Sequence, residues 1–427
     1  MTRVGRWERL RKLGGLTTRL TGHGVRERLF GATDRLGAAR DLADSLGRLK
    51  GAAMKVGQQA ALLAQALDLP DDVQATLREL HDDAAPVDWF TIQTVLDDEL
   101  DVPFDEAFAS IERRPLGTAS LAQAHAATLP GGDQVVVKVL HPGVLEGLET
   151  DLLALRALVR SGRLFGRRSE ELDGVLAEVE ARLREEVDYL LEAMNLNAFA
   201  EAFADDPRVV VPRPHVGLCT ERVLVMDRVY GMPLDPFVAT APAEVQQRAG
   251  TNLAELFFEM AFVHRMLHAD PHPGNYLFQP DGRVGIIDFG CVKRFDEFFL
   301  GSYARVALAA LDGDRAATLS AARELGVWVG DTPEAGEAIW AFCDAALGPW
   351  REGPCVLGAG DNLIVRCRAA GEQVWAHPEV MGVPDMLYLH RTLAGLYTMA
   401  RTLRVEADWG ALLRRYLTGA VRRAKGA

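Results

Sequence analysis

The spacing of apolar positions changes along the chain. Between residues 41 and 67 they recur at steps of four and three, which is the stripe of an amphipathic helix. A second helix is predicted to continue to about residue 82, and a third to run from the N-cap Asp88 to Leu100. The first hundred residues therefore have a helical pattern.

The period becomes two from residue 111 to residue 140. Two strand-like runs, residues 121–129 and 134–140, flank a Pro-Gly-Gly-Asp turn, so we predict an antiparallel hairpin. Residues 144–204 return to helical spacing, with a break rich in glycine and arginine at 161–168.

Two further strands are predicted at residues 209–211 and 222–229, and nearly everything beyond is helical in pattern. Glycine and proline between residues 230 and 234 mark a boundary between lobes. We therefore predict an α+β fold with three segments, which are an N-terminal helical extension (1–110), a small lobe with a helical insertion (111–230) and a mainly helical large lobe (231–427).

The composition is that of a folded chain, since 48% of its 427 residues are hydrophobic and 25% are charged. The five cysteines are widely spaced and form no Cys-x-x-Cys, which favours a reducing cytoplasm over a disulfide framework. The sequence contains neither a transmembrane-length apolar run nor the apolar core of a signal peptide. We therefore expect a cytoplasmic protein.

The net charge of −13 is unevenly distributed. Residues 1–50 hold 12 basic and 5 acidic side chains, a charge of +7, so the remainder carries −20. Such a basic start is compatible with peripheral contact with an anionic membrane, and equally with a solvated arm. The acidic remainder, without a base-reading module, argues against nucleic acid as a partner.

The candidate chemistry lies between residues 268 and 290. Asp270 and Asn275 have the Asp-x-x-x-x-Asn spacing of a kinase catalytic loop, and Asp288 opens an Asp-Phe-Gly after a predicted strand. Mg²⁺ prefers hard oxygen ligands, which the Asn275 amide and the Asp288 carboxylate supply. We predict a site for ATP and Mg²⁺ in which Asp270 orients a nucleophile or accepts its proton.

Three histidines offer a competing interpretation. His264, His268 and His272 are four residues apart, the spacing of a zinc-binding helix face, but Pro271 and Pro273 interrupt any helix there. We predict instead that His268 and His272 hydrogen-bond the loop into shape.

Two lysines and an acidic helix face are further candidates. Lys138 lies in an apolar strand, as does the phosphate-binding lysine of kinases, and Glu192 lies on an acidic helix face that could pair with it. Lys55 and Gln58 share a face of the first helix on either side of Gly57. The alternative interpretation is that Lys138 is simply a lysine at the end of a strand. Glu192, Lys55 and Gln58 would then lie on solvated helix faces.

Five motifs occur in a fixed order. They are Lys-Val-Gly-Gln (55–58), Val-Val-Val-Lys (135–138), Glu-Val-Asp-Tyr to Glu-Ala-Met-Asn (186–195), His-Ala-Asp-Pro-His-Pro-Gly-Asn (268–275) and Asp-Phe-Gly (288–290). Together they resemble the UbiB family of atypical protein-kinase-like proteins, also called AarF-type, which is tied to quinone and lipid metabolism. The stretch Gly-Ala-Ala-Met-Lys-Val-Gly-Gln is most similar to the subgroup of mitochondrial coenzyme Q kinases.

The resemblance implies a two-lobed atypical protein-kinase-like fold and a role for each motif. Lys138 would hold the α- and β-phosphates and pair with Glu192, while Asn275 and Asp288 would hold Mg²⁺ and Asp270 would be the catalytic aspartate. Residues 225–228, including Met226 and Asp227, would face the adenine.

The resemblance also implies a phosphate loop at residues 115–120, where the cofactor-binding residues would be Gly117, Thr118, Ala119 and Ser120. Gly117 and Thr118 interrupt the alanines that the family has there. Lys55 and Gln58 would belong to a helical cover over the site, completed by Glu186 and Asp188, which is thought to block protein substrates.

The implied function is that of an ATP-dependent kinase or ATPase acting in isoprenoid quinone or lipid metabolism rather than on proteins. A lipid or a quinone precursor is the expected substrate. One alternative is an aminoglycoside- or choline-kinase-like phosphotransferase, whose catalytic loop has the same spacing but which lacks the Lys-Val-Gly-Gln and Glu-Val-Asp-Tyr motifs. The other is a nucleotide-gated binding protein without turnover, which no motif excludes.

Overall fold

The computed structural model describes residues 87–119, 121–145, 147–149, 152, 180, 184–357 and 362–426. The helices predicted before residue 87 lie outside these ranges, as does most of the predicted helical insertion. The chain divides into two compact units, Met1–Met194 with Arg213–Arg228, and Asn195–Pro212 with Val229–Ala427. The domain boundaries at residues 110 and 230 stay predictions.

The helices, in chain order, are α1 (Trp89–Glu99), α2 (Phe104–Ala107), α3 (Tyr189–Ala202), α4 (Leu234–Thr240), α5 (Ala243–Phe262), α6 (Glu297–Leu311), α7 (Arg315–Glu324), α8 (Pro333–Leu347), α9 (Leu363–Trp375), α10 (Pro384–Thr402) and α11 (Trp409–Gly426). The strands are β1 (Ser110–Ile111), β2 (Gly117–Thr118), β3 (Ala122–Thr128), β4 (Gln134–Leu140), β5 (Val209–Val210), β6 (Val223–Asp227), β7 (Met266–His268), β8 (Tyr276–Phe278), β9 (Val284–Ile286), β10 (Val292–Arg294), β11 (Cys355–Val356) and β12 (Glu406–Ala407).

The first unit is built on an antiparallel sheet with the order β1-β3-β4-β6, and β2 also pairs with β3. The predicted hairpin is confirmed, because β3 and β4 pair from Ala122↔Leu140 to Thr128↔Gln134. Its turn contains Gly132 at φ +95°, which side chains with a Cβ rarely adopt.

One face of this sheet is covered by α1. Asp88 caps the helix by accepting a hydrogen bond from the Thr91 N–H, which confirms the predicted start. The apolar stripe of the helix, with Ile92 and Leu96 fully buried, belongs to the same core as alternate valines of β4 and β6. These valines are Val135, Val137, Val139, Val223 and Val225.

The second unit contains two small sheets that carry the loops of interest. In one, β9 pairs with β8 in the antiparallel sense and with β5 in the parallel sense. In the other, β7 and β10 form an antiparallel pair. The strand predicted after residue 283 is confirmed as β9, and the turn before it contains Gly282 at φ +86°.

The rest of the second unit is largely helical, as predicted. Helix α5 packs against α10 and α11, and α6 packs against α7 and α11. The α6–α11 contact is close, since a Cβ added to Gly301 would lie 2.3 Å from the Cβ of Ala424. The β11–β12 pair was not predicted, because two-residue strands are too short to show alternation. Within the described ranges no helix has both the length and the hydropathy needed to cross a bilayer.

Candidate functional site

A buried ion pair marks the first unit. The Lys138 Nζ lies 2.6 Å from the Glu192 Oε1, and the two side chains are only 14% and 4% exposed. The Nζ also lies 5.4 Å from the centre of the Tyr189 ring. Because Val137 and Val139 point into the core below α1, Lys138 points to the opposite face of β4. The predicted ion pair is confirmed.

Helix α3 places Glu192 within its first turn. The Asp188 Oδ1 accepts a hydrogen bond from the Leu191 N–H, which caps the helix one residue before it begins. Glu192 is 3% exposed, so this part of the acidic face is not solvated. Asp188, which was expected to be part of a cover over the site, has a local role as a helix cap.

The candidate phosphate loop is the β2–β3 hairpin. Gly117 pairs with Ala124, and the Ala119 N–H donates to the Ala122 carbonyl, which closes a tight turn. A Cβ added to Gly117 would meet no atom within 4 Å. Nothing in the described protein therefore requires a glycine here, and open space lies beside it. Ser120, Lys55 and Gln58 lie outside the described residues.

The end of β6 was expected to face adenine. Met226 is 4% exposed and pairs with Val136. The Asp227 N–H donates to the Arg213 carbonyl, while its carboxylate accepts from the Arg213 N–H at 3.0 Å and contacts the His215 Nε2 at 2.9 Å. Among the residues that the structure describes, Arg213 and His215 thus occupy the side chain and N–H of Asp227.

In the second unit, two strand pairs bring the motif residues together. The Ala269 N–H donates to the Cys291 carbonyl at 2.9 Å and extends the β7–β10 pair, so that Asp270 immediately follows it. The Ile287 N–H donates to the Asn275 carbonyl at 3.1 Å and extends the β8–β9 pair. Asn275 and Asp288 therefore lie at the same end of that pair.

Hydrogen bonds fix the orientation of all three side chains. The Asn275 Nδ2 donates to the Asp270 Oδ2 at 2.8 Å. Because only the amide nitrogen can donate to a carboxylate, the Asn275 Oδ1 is directed away from Asp270. The Asp288 Oδ1 accepts from the Gly290 N–H at 3.1 Å.

The two histidines of the loop shape it, as predicted. The His268 Nε2 lies 2.5 Å from the Asp288 carbonyl oxygen, which can only accept, so this nitrogen carries the proton. The His268 Nδ1 then accepts from the Tyr276 hydroxyl, whose pKa is raised by burial. The His272 Nδ1 accepts from the Gly274 N–H at 3.1 Å.

The donor set fits Mg²⁺. Among the residues that the structure describes, no group of three or more His, Cys, Asp or Glu side chains could hold a metal. Asn275 and Asp288 offer an oriented amide oxygen and a carboxylate, and Mg²⁺ in nucleotide sites takes one or two such ligands, completed by water and phosphate oxygens. The site thus suits a metal that arrives with phosphate.

Two residues near this loop were not assigned a role from the sequence. The Asn195 Nδ2 donates to the carbonyl of Phe289 at 3.3 Å, and the fully buried Phe289 ring packs on Phe199 at 5.0 Å. Arg391 donates to the carbonyl of Ala269. Asn195 lies one helical turn after Glu192, a spacing that could have indicated it, whereas no spacing of this kind links Arg391 to the loop.

Comparison with known proteins identifies the family. Residues 79–322 match the ABC1 atypical kinase-like domain, which is more than half of the chain. The chain belongs to this family. The resemblance drawn from the motifs is confirmed, as is the kinase-like α+β fold.

Two ABC1 relatives illustrate the extent of the similarity. The mitochondrial atypical kinase COQ8B of Danio rerio is 28% identical over 375 residues, which cover 86% of this chain and 59% of that protein. The probable protein kinase UbiB of Azotobacter vinelandii is 30% identical over 368 residues, which cover 80% of this chain and 64% of that protein. The chain thus spans about three fifths of the length of both.

A solved structure is similar over nearly the whole chain. The Rv3197–erythromycin complex from Mycobacterium tuberculosis has a TM-score of 0.65 and 28% sequence identity, covering 90% of this chain and 97% of that one.

Proposed function

We propose that this ABC1-family protein is an ATP-dependent atypical kinase or ATPase. The observation that carries the proposal is the 2.8 Å contact between Asn275 and Asp270, beside an Asp288 whose carbonyl is held by His268. Two acidic groups and an amide so oriented suit phosphoryl transfer, which needs positioning and charge compensation more than covalent chemistry.

In the second unit, Asn275 and Asp288 would hold Mg²⁺. The metal would neutralise phosphate charge when bound. Asp270 would orient the attacking hydroxyl or water and accept its proton, and the Asn275 amide would keep the Asp270 carboxylate from rotating.

In the first unit, Lys138 would donate to phosphate oxygens while Glu192 fixes its ammonium group. The loop from Gly117 to Ser120 would bind phosphates with its backbone, and the Asp227 carbonyl would contact adenine. Lys55 and Gln58 would cover the site and exclude protein substrates.

For the substrate, we propose a lipid or isoprenoid quinone precursor. The motif resemblance to the UbiB family supports this, and so do relatives named COQ8B and UbiB. The basic first 50 residues would hold the protein peripherally at an anionic membrane, where such substrates reside.

Thermal unfolding with ATP or ADP, with and without Mg²⁺, tests the metal-dependent site. We expect stabilisation only when both are present, of about 2.7 kcal/mol at a ligand concentration 100 times the Kd. Asp288→Asn should abolish it. Asp281→Asn, in the exposed turn before β9, is the matched control and should leave it intact. Equal stabilisation of Asp288→Asn and wild type would refute the metal assignment.

Turnover separates the remaining alternatives. Phosphate release stimulated by lipid vesicles or quinone precursors, without phosphorylation of generic proteins, is the expected result. Ordinary protein kinase rates, of order 1–100 per second, would exclude the cover formed by Lys55 and Gln58. Unchanged nucleotide affinity and turnover in Lys55→Ala and Gln58→Ala would exclude it as well. Nucleotide binding without any turnover would favour a gated binding protein.

A second candidate function is macrolide binding, which the similarity to the Rv3197–erythromycin complex favours. Calorimetric titration with erythromycin in the absence of nucleotide tests it. Saturable binding would support this function, and the absence of heat at the solubility limit would exclude it.

A further inference from the structure

Helix α10 contacts the backbone of the catalytic loop through an arginine. The Arg391 Nη2 donates to the carbonyl oxygen of Ala269 and lies 3.6 Å from the Cys291 Sγ. Ala269 is fully buried and directly precedes Asp270, and Cys291 is the third residue after Asp288. One guanidinium group therefore contacts both the residue before Asp270 and the third residue after Asp288.

A glycine one turn further along α10 provides a second contact. A Cβ added to Gly395 would lie 2.2 Å from the Cβ of Pro271, so Pro271 packs directly on the helix backbone. Arg391 and Gly395 are four positions apart and share a helix face. The loop is thus bonded to α10 just before Asp270 and packed on it just after.

Apolar packing does not completely fill the space between the catalytic loop and helices α5 and α10. A small cavity lies between the loop, α5 and α10, lined by His268, Pro271, Tyr276 and Thr392 among others, and it has room for about one water. Thr392 is 3% exposed, and its Oγ1 has no hydrogen-bond partner among the residues described. Packing behind the loop therefore leaves a small gap.

We infer that Arg391 is a positioning residue that fixes the catalytic loop, and that Gly395 sets how closely the loop approaches α10. The inference rests on the proposed function in that it takes Asp270 as the catalytic group. One nitrogen of the guanidinium group, Nη2, bonds the buried Ala269 carbonyl and also contacts Cys291. Arginine suits the task because its planar group is rigid and loses little freedom when it forms these contacts, whereas the ammonium group of a lysine ends a flexible stem.

The inference is tested by comparing the effect of Arg391→Ala on kcat with its effect on nucleotide affinity. We expect kcat to fall about 10- to 100-fold, since a displaced loop misaligns Asp270, while the Kd for Mg-nucleotide changes less than about threefold. Methylguanidine should restore part of kcat, because Arg391 is exposed and its position can be reached from solvent. Arg401→Ala, an exposed arginine on the same helix, is the control and should show neither effect.

Arg391→Lys and Gly395→Ala provide independent variants. Arg391→Lys should have a kcat between those of the wild type and Arg391→Ala. It should also fold if Arg391→Ala does not. Gly395→Ala should push Pro271 away and lower kcat in the same way. Gly371→Ala is the matched control, because this mid-helix glycine of α9 has its nearest neighbour, Phe342, at 3.8 Å from the added Cβ.

Hydrogen exchange of the peptide covering residues 266–278 completes the test without relying on turnover. Faster exchange of this peptide in Arg391→Ala and Gly395→Ala, but not in the controls, is expected. Wild-type kcat together with wild-type exchange in both variants would overturn the inference. A wild-type protein without any turnover would refute the proposed function instead, and the exchange result would still decide the role of Arg391.

Discussion

Lys138 is expected to affect both the stability of the protein and its nucleotide binding, and substitutions at Lys138 and Glu192 can separate these two effects. The carboxylate is 3% exposed, so removing the ammonium group beside it leaves a buried charge with less compensation. We expect Lys138→Met to destabilise the protein by about 3 kcal/mol, measured by urea unfolding, and to abolish Mg-nucleotide binding.

A second substitution separates the two effects. Adding Glu192→Gln to Lys138→Met removes the buried charge, so stability should recover by more than about 1 kcal/mol while nucleotide binding remains absent. Recovery of both would show that Lys138 acts only through folding. If neither the stability nor the nucleotide binding recovers, the ion pair is not a major source of stability.

His390 predicts a pH dependence. Its ring lies among Tyr303 and Phe342, and burial lowers its pKa to about 4 from the usual 6.5. Between these values the unfolded chain binds a proton that the folded protein does not, so stability falls as the pH is lowered through this window. From pH 7 to pH 5 the loss attributable to His390 is up to about 2 kcal/mol.

Urea unfolding of His390→Gln at both pH values measures this contribution. Glutamine keeps an acceptor for the Tyr303 hydroxyl, which lies 3.2 Å from the His390 Nε2. The difference between the free energies of unfolding at pH 7 and pH 5 should be smaller in His390→Gln than in the wild type. His377→Gln, in the turn before α10, is the control. An identical gap in wild type and His390→Gln would exclude His390 as the source.

At the scale of elements, close helix contacts determine which glycines can change. At Gly301 an added methyl group meets Ala424 of α11, and overpacking of this kind costs about 1–3 kcal/mol. At Gly371 the same change meets no close neighbour and gains helix propensity of about 1 kcal/mol. We therefore expect Gly301→Ala to lower the urea midpoint and Gly371→Ala to raise it. The reverse order would contradict the α6–α11 packing.

Elements that depend on local sequence were predictable, and those that depend on distant partners were not. The β3–β4 hairpin follows from alternation and a turn, both visible within twenty residues. The start of α1 follows from Asp88. The parallel pairing of β5 with β9 joins Val209 to Val284, and no local signal encodes such a register.

The candidate site divides in the same way. Lys138, Glu192, Asp270, Asn275 and Asp288 could be predicted as site residues because residue type and spacing together indicate a chemistry. Arg391 was missed because its partner Ala269 is 122 positions away and bonds through a backbone carbonyl, which carries no side-chain signal. The one usable hint was a glycine in the middle of α10, since glycine is costly in a helix unless another chain approaches closely.

At the scale of the whole molecule, charge separation predicts salt-sensitive membrane binding. The first 50 residues carry +7 and the rest −20, so anionic vesicles should attract one end only. Changing Arg9, Arg11 and Lys12 to glutamine should weaken binding to anionic vesicles by about 3 kcal/mol at low salt. Sedimentation with neutral and anionic vesicles measures this.

The control replaces three exposed arginines elsewhere, Arg366, Arg368 and Arg401. It should bind anionic vesicles like the wild type. Binding of the wild type should also disappear in about 0.5 M NaCl, where charge interactions are strongly screened. Equal binding to neutral vesicles would show that the basic segment is a solvated arm.

The connectivity of the two units has a consequence for synthesis on the ribosome. The chain leaves the first unit after Met194, returns at Arg213 and leaves again after Arg228, so neither unit is one continuous stretch. Strand β5 emerges 75 positions before its partner residue Val284. At about 5–20 residues per second, its exposed valines wait roughly 4–15 s for β9. We therefore expect nascent chains that are stalled between these strands to bind chaperones. The chaperones should be released once β9 has emerged.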